Sequence, residues 1–92
     1  MTDEPQDLKI KRLHMRSMRR GIKEMDLILS SYAAARLPQM DAAALDHYDR
    51  LLDENDHDLY QWVSGQTAAK AEFTQLVNDI RQTIDNGLKS AR

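Results

Sequence analysis

Apolar residues recur at three- and four-residue spacing along most of this chain, and nowhere do apolar and polar positions alternate for long. That period is helical, so the sequence predicts an all-α fold. The clearest stripe is Ile22, Met25, Ile28, Leu29, Tyr32, Ala33 and Arg36, which predicts a helix over Ile22–Leu37. Pro38 ends it, because proline disfavours helical geometry in the residue before it. A more ragged stripe of Leu8, Ile10, Leu13, Met15 and Met18 predicts an earlier helix over Leu8–Met18, capped by Asp7. Gly21 separates the two, and its expected use is a left-handed backbone.

Three more helices follow from the same reasoning. Asp41 is a good cap for a third helix carrying Leu45, Tyr48, Leu51 and Leu52. Asn55 or Asp56 can cap a short fourth, His57–Ser64, that presents Leu59, Trp62 and Val63, with Gly65 as its stop. Thr67 can open a fifth, ending near Asn86 before Gly87, with Phe73, Leu76, Val77, Ile80 and Ile84 on one face. Short connections then give a compact five-helix bundle, a single domain over residues 1–92, with 1–6 and 88–92 expected to be flexible.

Composition narrows what such a bundle can do. The chain has 92 residues, too few to enclose a deep cofactor cavity of its own. With no cysteine, thiolate metal sites, thiol nucleophiles and disulfides are excluded. His14, His47 and His57 lie far apart in sequence and form no ligand pair at helical spacing, so no metal site is expected. Ser30-Ser31 and Ser64-Gly65 lack a nucleophile-elbow context, and no glycine-rich loop offers a phosphate cradle. The reading is of a protein that is not an enzyme. No apolar run is long enough to span a bilayer. The acidic start Met1-Thr2-Asp3-Glu4-Pro5 resembles neither a secretory signal nor a mitochondrial transit peptide, so a cytoplasmic location is expected.

The net charge is only −2, but its distribution is uneven. Lys9, Lys11, Arg12, Arg16, Arg19, Arg20 and Lys23 are seven of the chain's thirteen basic residues. Asp41–Asp58 holds seven acidic residues against one basic, Arg50. The molecule is therefore expected to be a dipole. A basic segment could contact nucleic acid, but no aromatic residue precedes Tyr32 and stacking platforms are missing.

The densest feature is Arg19-Arg20-Gly21-Ile22-Lys23-Glu24. With Ile22 at 0° on a helical wheel, Arg20 falls near ~160° and Glu24 near ~200°, away from the apolar stripe. Leu27, Ser31, Ala34 and Ala35 share that outer side, a surface of one leucine and small residues. Arg20, Gly21, Lys23, Glu24 and Leu27 are therefore read as a partner-binding face. The spacing leaves open whether Arg20 and Glu24 bond to each other as an i, i+4 pair or reach outward.

Arg20-Gly21-Ile22-Lys23-Glu24 resembles the Arg-Gly-x-x-Glu signature of the succinate dehydrogenase assembly factor 2 family, which includes the bacterial FAD assembly factors. The likeness continues through Met25-Asp26-Leu27-Ile28-Leu29, Tyr48-Asp49-Arg50-Leu51-Leu52-Asp53 and Asp56-His57-Asp58-Leu59-Tyr60-Gln61-Trp62. His57 stands where the family often has proline. The resemblance implies a small five-helix assembly factor that binds the flavoprotein subunit of succinate dehydrogenase and, in some bacteria, of fumarate reductase. It implies promotion of covalent FAD attachment to that client, with the FAD belonging to the client. It makes Asp26, Asp56 and Trp62 family positions of structural character, Asp56 as a helix cap, and suggests a bacterial cytoplasmic setting. An antitoxin-like interaction module and a nucleic-acid-binding helical protein are the alternative readings.

Overall fold

A computed structural model describes residues 5–18 and 20–90, with side chains described as far as Ile84. It contains five α-helices among those residues: α1 Gln6–Arg16, α2 Lys23–Arg36, α3 Ala42–Leu51, α4 Asp56–Val63 and α5 Thr74–Ser90. Short 3-10 turns at Leu37–Gln39 and Ala71–Phe73 lead out of α2 and into α5.

Helix α2 is central and touches α1, α4 and α5. Its buried face is Met25, Leu29, Tyr32 and Ala33, as the wheel expects. These meet Leu13 of α1, Leu45, Tyr48 and Leu51 of α3, Leu59, Trp62 and Val63 of α4, and Val77 and Ile80 of α5 in one core. The rings of Tyr32 and Tyr48 lie 5.7 Å apart, and Phe73 bridges Trp62 and His47 with centroid distances of 6.3 and 5.2 Å. Ser17 is buried as well. Its hydroxyl donates to the Leu13 carbonyl (2.8 Å), leaving its oxygen to accept from the Tyr48 hydroxyl 2.6 Å away. Burial pushes the Tyr48 phenol up to about 12.

The caps settle several boundaries. Asp41 caps α3 by accepting from the Ala44 N–H at 2.8 Å. Asn55, not Asp56, caps α4, accepting from the His57 N–H at 2.8 Å. Gly65 stops α4 in a left-handed conformation (φ 85°), with the Gln66 N–H returning to the Gln61 carbonyl.

Other expectations shift. Helix α1 starts at Gln6 behind Pro5, so Asp7 lies in its first turn rather than at its cap. Of the expected flexible ends, residues 1–4 and 91–92 lie outside the described residues. Residues 88–90 are helical, because α5 runs through Gly87 instead of ending there.

Candidate functional site

The link from α1 to α2 is where the sequence reading changes most. Helix α2 begins at Lys23, with Ile22 extended at its N-cap. Arg20 and Gly21 therefore precede the helix, and a wheel continued backwards through them misplaces Arg20. The Arg20 side chain is 11% exposed and Asp56, its partner, 21%. Arg20 Nε and Nη2 each lie 2.7 Å from Asp56 Oδ1. Nη1 donates to the carbonyls of Arg16 and Leu52, 3.2 Å each, and Nη2 reaches the Glu54 carbonyl at 3.4 Å.

Helix ends explain the choice of site. Arg16 and Leu52 close α1 and α3, where carbonyls lack helical partners and the dipole favours a cation. Asp56 is the first residue of α4, where the dipole favours an anion. One Arg–Asp pair thus fastens three helix ends.

Gly21 completes the cluster. Its N–H donates to Asp56 Oδ2 at 2.6 Å. Among the described residues its φ is not in the left-handed region; Gly65 is the positive-φ glycine. Gly21 is needed for close approach instead, since a Cβ there would lie 2.9 Å from Asp56 Oδ2. Arg19 lies outside the described residues.

The same contact ends a ladder of ion pairs. Lys9 meets Asp46 at 2.5 Å, Arg12 meets Asp49 at 3.4 Å, and Arg16 joins both Asp49 and Asp53, the latter at 2.7 Å. Sequence separations are 36 or 37 for one pair at each of Lys9, Arg12, Arg16 and Arg20, from Lys9–Asp46 to Arg20–Asp56, with Arg16–Asp49 a cross-rung at 33, so the two segments run parallel in register. The expected dipole is thereby corrected: much of the basic N-terminal segment is laid along the acidic helix and cancelled there.

What remains exposed is the first two turns of α2. Glu24 is exposed and makes no hydrogen bond or ion pair among the described residues. Arg20 therefore bonds to Asp56 and not to Glu24. Lys23 is exposed too, and Leu27 is 63% exposed, so it does not pack under α1. Ser31, Ala34 and Ala35 continue the same open face. Beside it, Glu24 borders a cleft of about 700 Å³ between α2, α4 and α5, lined by Ile28, Tyr60, Val63, Arg81 and Ile84. Asp26 accepts from Ser30 at 3.4 Å, and Trp62 is 8% exposed in the core.

A second cleft, about 950 Å³, lies where α2 meets α5 and contains Tyr32, Arg36 and Asp79. Arg36 Nη2 and the Tyr32 hydroxyl donate to the two Asp79 oxygens at 2.6 and 2.7 Å. The Arg36 hydrogen bond holds the Asp79 carboxyl below its usual range. These groups satisfy one another and brace α2 against α5. No group of three metal-ligating side chains occurs among the described residues. No helix among them is long and apolar enough to cross a membrane.

A model of the family described as the flavinator of succinate dehydrogenase matches residues 11–84, which takes in the pinned link, the open face and the whole core. The chain belongs to that family. Relatives named succinate dehydrogenase assembly factor 2, mitochondrial, include one from Lodderomyces elongisporus, 49% identical over 63 residues. That match covers 68% of this chain and 38% of the relative. A Saccharomyces cerevisiae relative is 48% identical over 63 residues, covering 68% of this chain and 39% of its own length. One from Mycosarcoma maydis is 37% identical over 75 residues, covering 82% of this chain and 32% of its own. The chain thus matches well under half the length of these flavinator-family proteins. Their names also overturn the expectation of a bacterial cytoplasmic setting, since all three are mitochondrial assembly factors by name.

Proposed function

We propose that this chain is an accessory factor that binds the flavoprotein subunit of succinate dehydrogenase and promotes covalent attachment of FAD to it. The client's own groups carry out the attachment, and the FAD belongs to the client. The observation that carries this reading is the free Glu24 carboxylate beside exposed Leu27, inside the family-matched segment. A carboxylate without an internal partner is available to a cation or N–H group of another protein. An exposed leucine bordered by Ser31, Ala34 and Ala35 lets another backbone approach closely. Lys23 adds a positive charge at the rim. Docked there, the factor holds the client where its histidine and the flavin are aligned, and such positioning is a source of rate.

The test is genetic. Deleting the gene in its native cell should leave the succinate dehydrogenase flavoprotein poorly loaded with covalent flavin, read as flavin fluorescence of the denatured subunit in a gel. Full loading in the deletion strain would contradict the proposal. A fumarate reductase flavoprotein, where the cell has one, is followed in the same gel as a second client.

A further inference from the structure

We infer that Asp56 is the positioning residue of the Arg-Gly-x-x-Glu stretch, holding Arg20 inward and the exposed Gly21 against its carboxylate, so that Glu24 alone of the two charged signature residues faces the partner. The inference rests on the docking role proposed above and asks how the docking face is built.

Three observations carry it. The Asp56 carboxylate takes the Arg20 guanidinium on one oxygen and the Gly21 N–H on the other, at 2.7 and 2.6 Å. Every remaining contact of that guanidinium runs to a carbonyl of α1 or of the α3–α4 turn. The first turn of α2 starts only two residues later, so the pinned link fixes where Lys23 and Glu24 point. Two linked residues gripped by one carboxylate leave the link little freedom, and a side chain so supported is what keeps a binding face in one geometry.

This assigns Gly21 a different task from contact with a partner. Its hydrogen side admits the Asp56 oxygen, and a methyl group there would meet that oxygen at 2.9 Å. The oxygen ends a short side chain and could swing aside. Doing so would break its bond from the Gly21 N–H and disturb the Arg20 pair. Substitution of Gly21 and substitution of Asp56 should therefore produce one and the same defect.

The prediction is non-additivity. Full-length chains carrying Gly21→Ala, Asp56→Ala or both are titrated against the purified succinate dehydrogenase flavoprotein subunit, at a temperature where circular dichroism shows each variant folded. Each single change should weaken capture about tenfold, and the double variant also about tenfold, because neighbours acting through one contact do not add. Where Asp56→Ala does not fold, Asp56→Asn replaces it. Its amide has one acceptor oxygen for two donors, Arg20 and the Gly21 N–H, and sets its own N–H group against whichever it does not accept, so the same pattern is expected. Amide exchange in residues 20–24, measured without the client, should accelerate alike in both single variants.

Losses that multiply to about a hundredfold, as independent sites would give, would overturn the inference. So would unchanged exchange in 20–24, or a harmless Gly21→Ala. If the wild-type chain fails to capture the flavoprotein at all, the functional reading falls and this docking role for Asp56 falls with it.

Discussion

A guanidinium carries five N–H donors, and where they are met decides what an arginine does. For Arg20 they are met inside the molecule, by Asp56 and three carbonyls. Arg20→Ala should therefore cost about 1–3 kcal/mol by stranding a partly buried carboxylate and its neighbours. Glu24→Ala touches nothing internal and should stay within about 0.5 kcal/mol of the parent. Denaturant melts of the two variants check this contrast. A comparable destabilisation in both would show that Glu24 is held internally after all. Tyr48 makes a separate prediction. Its folded pKa is raised to about 12 by burial, from 10.0 unfolded. The stability this carries is complete below pH 10 and lost as the unfolded chain ionises between there and 12. At about 1.4 kcal/mol per unit, the loss is of the order of 2–3 kcal/mol. The midpoint of thermal unfolding should fall steeply over that range, and Tyr48→Phe should flatten the fall.

Among the elements, α1 depends most on charge. Its rungs to α3 are surface pairs worth about 0–1 kcal/mol each, and several act together. Asp49 serves both Arg12 and Arg16, so Asp49→Ala should loosen α1 selectively, raising amide exchange in Gln6–Arg16 while Leu59–Val63 stays protected. Added salt should act in the same direction, because exposed pairs are screened. Protection of α1 that ignores both would mean that its uncharged contacts, through Gln6, Ile10, Leu13 and Ser17, hold it. This ladder was legible in outline: Lys9, Arg12, Arg16 and Arg20 step by helical spacing, as do Asp46, Asp49, Asp53 and Asp56. Reading charge as regional totals instead of as two matching series is what produced the expectation of a dipole. The apolar stripes carried further, because packing has one solution for Met25, Leu29 and Tyr32. Caps that are local, such as Asp41, could be read directly, and the close contact of Gly21 with Asp56, 35 residues away, could not.

At the scale of the whole molecule, the five-helix fold followed from periodicity, and family membership followed from an ordered set of motifs rather than from one. The outer surface around the start of α2 was half legible. The outer positions of α2 were placed correctly for Glu24, Leu27, Ser31, Ala34 and Ala35, since they lie within the helix. Arg20 was not, since the helix starts after it and a wheel has no meaning there. With Lys9, Arg12 and Arg16 of α1 paired against α3, no salt-sensitive retention of DNA or RNA is expected at physiological ionic strength, where phosphate contacts would otherwise dominate binding.

The central claim is that this chain speeds covalent flavin attachment through the open face of α2. Its most direct test mixes the purified apo flavoprotein subunit of succinate dehydrogenase with FAD and follows covalent flavin with time, adding no factor, the wild-type chain or the Glu24→Ala chain. Attachment should be faster and fuller with the wild-type chain, and Glu24→Ala should give little gain despite an unchanged melting temperature. Equal attachment in all three mixtures would contradict the central claim.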